Sequence, residues 1–249
     1  RNTPSLMYGS FSHAFSVDQD NTPSGGQFLD GRVDGQAEQA GKPLLSAVEM
    51  NNPDQATVVA KVAASAFAED FRRKYGADIF ARTNDAFAAI GAALAAYQQT
   101  PEFHPFTSRF DQYLRGKDTL TPTERRGMAL FFNPLKGNCV GCHAADQSSG
   151  NPGDSLFTDF TYDNLGVPRN TAIPANADPL FFDLGLGGPR RTLPNDDPSF
   201  NGAFKVPTLR NVAMREAFMH NGFFTRLTDV VDFYATRDTA PTRWYPGGS

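Results

Sequence analysis

The sequence predicts a mainly α-helical fold with long irregular loops. Apolar side chains at positions 87, 90, 94 and 97 recur with helical spacing in an Ala-rich stretch. Residues 121–124 read Thr-Pro-Thr-Glu, which combines an N-cap, a first-turn proline and a capping-box glutamate. The 22 glycines and 18 prolines imply long connections, above all in residues 1–53 and 144–205, where periodicity is weak.

Each helix has its own signal. The segment Asn52-Pro53-Asp54 starts a helix that Gly76 ends. The Ala-rich helix is capped by Asn84 or Asp85 and should bury Phe87, Ile90, Leu94 and Tyr97 on one side. In chain order, the expected helices cover residues 54–76, 86–97, 110–114, 121–132 and 227–234, and residues 1–53 are expected to form loops with short helices.

Composition narrows the class of protein. The chain has 249 residues, enough for one or two domains, and 40 % are hydrophobic, which is typical of a globular protein. A net charge of −4 and a pI near 5.5 argue against nucleic-acid binding, which needs a basic surface. No run of eighteen apolar residues is present, so no membrane span is expected.

The most specific pattern is Cys139-Val140-Gly141-Cys142-His143, which reads C-x-x-C-H. This is the attachment signature of a c-type haem. Two thiols reach the two vinyl groups on one porphyrin edge, and the next residue brings an imidazole to the iron as the proximal ligand. The sequence therefore predicts covalent haem c in a cytochrome c-like domain.

Two other interpretations of the motif fit the sequence less well. A redox dithiol would not need the histidine and would be expected in a βαβ pattern, which is not evident here. A zinc site would need more ligands than a chain with two cysteines and four histidines offers nearby. Both cysteines lie in the motif, so neither is left for a structural disulfide.

The sixth ligand of this haem has four candidates in the C-terminal part: Met214, Met219, His220 and Tyr234. Methionine would raise the reduction potential. Tyrosine is a hard anionic oxygen ligand that would stabilise oxidised iron and lower the potential. Taken alone, Tyr234 could equally pack with Val230 and Val231 on one helix face.

Six short motifs follow one another along the chain. They are R-N-T-P at 1–4, D-G-R at 30–32, A-V-E-M at 47–50, C-x-x-C-H at 139–143, V-P-T-L-R-N at 206–211 and M-H-N-G at 219–222. With these motifs in this order, nearly the whole chain resembles the bacterial di-haem cytochrome c peroxidase and MauG superfamily.

The resemblance implies two haem domains. Residues 1–105 would complete the first, peroxidatic domain, and residues 106–249 would form the second, electron-transfer domain. In the family, the first C-x-x-C-H precedes the segment that resembles residues 1–4, so a longer protein with a second haem c is expected, truncated here also at its C-terminus. Because c-type haem is attached outside the bacterial cytoplasm, an exported precursor and a periplasmic location are expected.

The resemblance also assigns catalytic residues. The acid–base pair of the family matches Gln39 and Glu49: Glu49 would move a proton between the oxygens of H2O2, and Gln39 would hold the peroxide or a water. Where the family usually has a tryptophan between its two haems, this chain has Leu29, which cannot relay electrons or holes.

Further ligands follow from the same resemblance. Position 234, fourteen residues after His220, is tyrosine in the MauG branch, which favours ligation by His143 and Tyr234. His220 would lie near the haem edge, and Arg210 would pair with a propionate or fix a loop. A Ca2+ between the haems would be bound by the side chain of Asn2 and the backbone carbonyls of Arg215 and Ala217.

The resulting functional hypothesis is an exported enzyme that uses H2O2. It would either reduce H2O2 with electrons from a small cytochrome or cupredoxin, or oxidise a residue of a partner protein in the manner of MauG, with a homodimer as one option. The alternatives are a non-enzymatic electron carrier with one haem and a degenerate member that senses a partner.

Overall fold

Seven α-helices and four two-residue strands make up the regular α and β structure of residues 3–189 and 197–246, the part that the computed structural model describes. In that part, no helix is long and apolar enough to cross a membrane. The helices are α1 (Gln36–Leu45), α2 (Gln55–Ala63), α3 (Ala68–Tyr75), α4 (Thr83–Gln98), α5 (Arg109–Leu114), α6 (Pro122–Phe132) and α7 (Leu227–Thr236). The strands are β1 (Ser16–Val17), β2 (Pro23–Ser24), β3 (Tyr162–Asp163) and β4 (Phe204–Lys205), paired antiparallel as β1 with β2 and β3 with β4.

The predicted mainly helical architecture with long loops is confirmed. Helix α6 begins where the sequence predicts, because Thr121 and Glu124 form the reciprocal capping box. The expected helix over 54–76 is wrong in one respect, since it is two helices, α2 and α3. Between them, the Ser65 hydroxyl donates to the Val62 carbonyl (2.7 Å) and accepts from the Phe67 N–H (3.2 Å). This local turn competes with helix continuation.

The N-terminal helices bury one apolar core of five residues, Val58, Val59, Ile79, Ala86 and Ile90. Helix α4 lies at its centre and packs closely on α1. The prediction for α4 was wrong in two details. The helix starts at Thr83 without a side-chain cap. The buried side is Ala86, Ile90, Gly91, Ala95 and Gln98, whereas Leu94 and Tyr97 are 37 % and 56 % exposed.

Gly91 permits the close approach of α1 and α4. A Cβ at this position would meet the Ala37 carbonyl oxygen at 2.4 Å. We expect Gly91→Ala to destabilise the fold, although alanine usually favours a helix by about 1 kcal/mol over glycine. At Gly41, on the facing helix, a Cβ would meet only the Phe87 ring, at 3.0 Å. Urea unfolding should therefore show a larger loss for Gly91→Ala than for Gly41→Ala, and a stabilised Gly91→Ala protein would contradict this packing.

The N-terminal segment also contacts the C-terminal half. The Lys205 N–H donates to the Leu29 carbonyl (2.8 Å), and the Tyr162 hydroxyl donates to the Gly25 carbonyl (2.7 Å). Phe233 of α7 packs with Phe218 and Phe224 in another apolar core. The Trp244 ring meets Phe233 edge to face. The N-terminal loops therefore make hydrogen bonds to the C-terminal half, which contains the C-x-x-C-H segment and α7.

Candidate functional site

The C-x-x-C-H segment follows α6 and forms a single 3-10 turn, Cys139–Gly141. Asn138 precedes the turn with a φ of 44°, a left-handed conformation that asparagine tolerates. The His143 N–H then donates to the Cys139 carbonyl at 2.8 Å. The turn keeps both thiols and the imidazole within one short stretch of chain.

The His143 ring is oriented by a backbone carbonyl. Its Nδ1 lies 2.9 Å from the Phe157 oxygen. With Nδ1 as the donor, Nε2 of the neutral ring carries the lone pair. Burial lowers the pKa of His143 and outweighs the backbone carbonyls of Phe157 and Pro207 and the carboxylates of Asp159 and Asp163, which raise it. A neutral imidazole with a free Nε2 lone pair is the form that binds haem iron.

The two thiols fit haem attachment better than the alternatives. Both are free of disulfides. Burial, assisted by a 3.3 Å hydrogen bond to Asp163, raises the pKa of Cys142 to about 11. A redox dithiol needs the opposite shift. Among the residues described, no three His, Cys, Asp or Glu side chains gather in a group that could hold a metal ion.

Tyr234 lies on α7 close to the C-x-x-C-H segment. Burial raises the pKa of Tyr234 to about 12; Arg237 opposes this, and Cys142, Asp163 and Cys139 add to it. The hydroxyl therefore lies within electrostatic range of both cysteines. This placement supports Tyr234 as a ligand on the same haem as His143, although ligation stays a prediction.

The other candidate ligands lie in different surroundings. Met219 packs against the Phe218, Phe224 and Phe233 core. Met214 is 84 % exposed. The His220 ring stacks on Phe204, with centroids 3.6 Å apart and planes 6° from parallel. His220 is therefore held as one half of a flat ring pair, and its place at the haem edge stays a prediction.

Arg210 makes the contacts of a residue that fixes a loop. Its guanidinium donates to both Asp111 carboxylate oxygens, at 2.9 and 3.1 Å, and to the carbonyls of Ser155 (2.9 Å) and Pro152 (2.8 Å). The side chain is only 4 % exposed. Of the two roles expected for Arg210, the structure supports the loop contact, and pairing with a propionate stays a prediction.

The predicted acid–base residues lie at one end of the N-terminal core. Gln39 is on α1 and partly buried, and Glu49 is exposed in the turn that follows α1. The Glu49 N–H donates to the Ser46 carbonyl at 3.0 Å, which fixes that turn. Its neighbours Val48 and Met50 are 94 % and 61 % exposed. Glu49 is thus presented on an apolar surface loop, and the pair's catalytic role stays a prediction.

Of the three predicted calcium ligands, the structure describes Arg215 and Ala217. Asn2 lies outside the described residues. The Arg215 guanidinium donates to the carbonyl of Thr3, the residue after Asn2. Thr3 and Arg215 are therefore in contact. Calcium binding by Asn2, Arg215 and Ala217 stays a prediction.

Leu29 directly precedes the D-G-R motif of residues 30–32. The Arg32 guanidinium donates to both carboxylate oxygens of Asp30, at 3.0 and 2.8 Å, and lies over the Phe28 ring. Lys205 approaches from β4: its ammonium donates to the Ser12 hydroxyl at 3.1 Å and to the Gly26 carbonyl. Burial lowers the pKa of Lys205 to about 8, against the opposing effect of Asp30.

Sequence reasoning missed Asp111, Phe157 and Lys205. Asp111 is fully buried and is also the capping-box residue of α5. The S-x-x-D spacing from Ser108 indicates the helix start but not the partner 99 residues away. Phe157 acts through its carbonyl, which every residue has. Lys205 directly precedes the V-P-T-L-R-N motif, and that position was its only signal.

Comparisons with known proteins relate most of this chain to di-haem peroxidases. Residues 1–119 match a family model described as di-haem cytochrome c peroxidase. The methylamine utilization protein MauG of Paracoccus denitrificans is 41 % identical over 236 residues, which are 94 % of this chain and 59 % of that protein. The cytochrome c551 peroxidase of Nitrosomonas europaea is 30 % identical over 212 residues, which are 83 % of this chain and 53 % of that peroxidase.

A solved structure extends the likeness to three dimensions. The crystal structure of the diheme peroxidase BthA from Burkholderia thailandensis superposes with a TM-score of 0.94 at 42 % identity, covering 100 % of this chain and 60 % of that one. The chain therefore spans 53 % to 60 % of the length of these relatives.

Proposed function

Because the chain belongs to the di-haem cytochrome c peroxidase family, we propose that it is part of a di-haem, H2O2-using oxidoreductase of the periplasm. The observation that carries the proposal is the His143 imidazole, whose Nδ1 is held by the Phe157 carbonyl at 2.9 Å, in the same motif as two cysteines free of disulfides. When bound, haem would supply an iron that accepts oxidising equivalents from peroxide. The protein's residues supply orientation and proton transfer.

Haem would be held by four residues of this chain. Cys139 and Cys142 would form the thioether bonds, and His143 would be the proximal ligand through Nε2. Tyr234 would be the second iron ligand of this chain and would bind as the phenolate, having lost its hydroxyl proton to solvent. Because phenolate oxygen is anionic, this ligand pair favours the oxidised state.

Proton movement would fall to Gln39 and Glu49. Heterolysis of H2O2 requires that a proton pass from the inner to the outer oxygen, and a carboxylate can carry it. Glu49 is exposed at a turn beside apolar side chains, so it is accessible to a small oxidant. The Gln39 amide would orient the peroxide by hydrogen bonding. The complete reduction consumes two electrons and two protons and yields two waters.

Two fates of the oxidising equivalents are open to this site. Electrons from a small cytochrome or cupredoxin can reduce the oxidised protein. Alternatively, the oxidised protein can take electrons from a residue of a partner protein and so oxidise it. Tyr234 favours the second by stabilising oxidised iron. Leu29 weakens it, because it has no oxidisable ring at the position where the family usually has a tryptophan between its two haems.

Two measurements test the proposal. Intact mass of the denatured protein counts haems, because thioether bonds survive denaturation. Two haems are expected in the full protein, with H2O2 consumed when a reduced small redox protein is supplied. If a residue of a partner protein is oxidised when no reduced small redox protein is present, the MauG-like activity is the correct one of the two. A single haem and no peroxide turnover would overturn the proposal and leave a mono-haem electron carrier.

A further inference from the structure

Phe157, whose carbonyl orients His143, has an unfavourable backbone conformation. Phe157 has a φ of 56°, in the left-handed region that residues with a Cβ rarely adopt. In this conformation its oxygen accepts from His143 Nδ1 at 2.9 Å and from the Leu209 N–H at 3.3 Å. A strained residue persists only when its surroundings over-determine it.

Two threonine hydroxyls fix the chain on either side of Phe157. Thr208 donates to the Leu156 carbonyl at 2.6 Å, and Thr158 donates to the Val206 carbonyl at 2.6 Å. Both bonds join the Phe157 segment to the V-P-T-L-R-N motif. The motif therefore lies along the segment that holds the proximal imidazole.

Arg210 completes this attachment. It binds the Ser155 and Pro152 carbonyls just before Phe157, and its guanidinium carbon lies 5.6 Å from the centre of the Phe157 ring. Asp111 neutralises it from α5, and the two side chains are 4 % and 0 % exposed. A buried ion pair recovers little net stability over a well-packed apolar pair. Its benefit here is a fixed geometry.

We propose that Asp111 and Arg210 are positioning residues for the haem: they hold Phe157 on His143 and thereby set the reduction potential of the haem iron. A carbonyl on the Nδ1 hydrogen fixes the orientation of the ring and makes Nε2 a stronger donor to iron. Loosening the loop weakens that bond. The ferric state then loses stabilisation and the potential rises.

The same pair links His143 to the N-terminal half. The guanidinium carbon lies 5.0 Å from the centre of the Tyr8 ring and 4.5 Å from that of Phe106. Asp111 itself stands on the first helix after that half. Tyr8, Phe106, Arg210 and Phe157 therefore form a packed series between the N-terminal half and His143.

The test uses Asp111→Asn in the full haem-loaded protein, with redox titration and electron paramagnetic resonance as readouts. This inference rests on the proposed haem ligation, so intact mass is measured first. We expect the haem to stay attached, its Fe(III)/Fe(II) equilibrium constant to change about tenfold, and the potential to rise by about 59 mV. The resonance signals should also shift, because the imidazole plane is freed.

Two further variants keep the test decisive. Thr208→Val removes one hydroxyl without a buried charge, and it carries the test if Asp111→Asn does not fold. Arg169→Lys is the control, because Arg169 also binds loop carbonyls, those of Asp178 and Phe181, but in a different loop from Phe157. Unchanged potentials in Asp111→Asn and Thr208→Val, with haem attached, would overturn the inference. A wild-type protein without covalent haem would overturn the proposed function itself.

Discussion

Replacement of Tyr234 by methionine is expected to raise the reduction potential of the haem at Cys139 and Cys142 by on the order of 0.1 V or more. The physical reason is the exchange of an anionic oxygen donor, which stabilises ferric iron, for a neutral thioether, which stabilises ferrous iron. A spectroscopic redox titration of the full protein measures the change. The direction follows from ligand charge alone.

Two variants complete this experiment. Tyr97→Met places the same substitution on an exposed tyrosine of α4 and should leave the potential unchanged. Met219→Leu should also leave it unchanged, because Met219 packs in the Phe218 core. If instead Met219→Leu shifts the potential and Tyr234→Met does not, Met219 is the ligand and Tyr234 only packs on α7.

Glu49→Gln is expected to slow H2O2 consumption by roughly tenfold or more, since loss of a general base typically costs at least this factor. The glutamine keeps the size and polarity of the side chain but cannot carry the proton between the peroxide oxygens. Stopped-flow mixing of the ferric protein with H2O2 measures the rate of reaction directly.

Glu38→Gln is the matched control. Glu38 is a carboxylate on α1 next to Gln39, and it forms only a surface ion pair with Lys42 at 3.0 Å. Surface pairs of this kind contribute little to stability. The Glu38→Gln protein should react at the wild-type rate. An unchanged rate in Glu49→Gln would remove Glu49 from the mechanism.

Local signals in the sequence predicted local structure well. The capping box at Thr121 and Glu124 fixed the start of α6, because all of its hydrogen bonds lie within four residues. The C-x-x-C-H motif likewise needs no distant partner to be recognised. Both features could be identified before any fold was known.

Features that depend on distant residues could not be predicted. The buried side of α4 is decided by α1, which approaches at Gly91 and leaves Tyr97 in solvent. The partner of Arg210 is Asp111, 99 residues away. The atom that orients His143 is a backbone oxygen, and no side-chain pattern marks it. In each case a tertiary contact overrides or supplements the local pattern.

Position 29 is joined to β4 through its main chain, because the Leu29 carbonyl accepts the Lys205 N–H. The D-G-R turn beyond it is closed by its own Asp30–Arg32 pair. Neither contact depends on which side chain residue 29 carries. The backbone of this turn therefore makes the same contacts whether an aliphatic or an aromatic side chain stands at position 29.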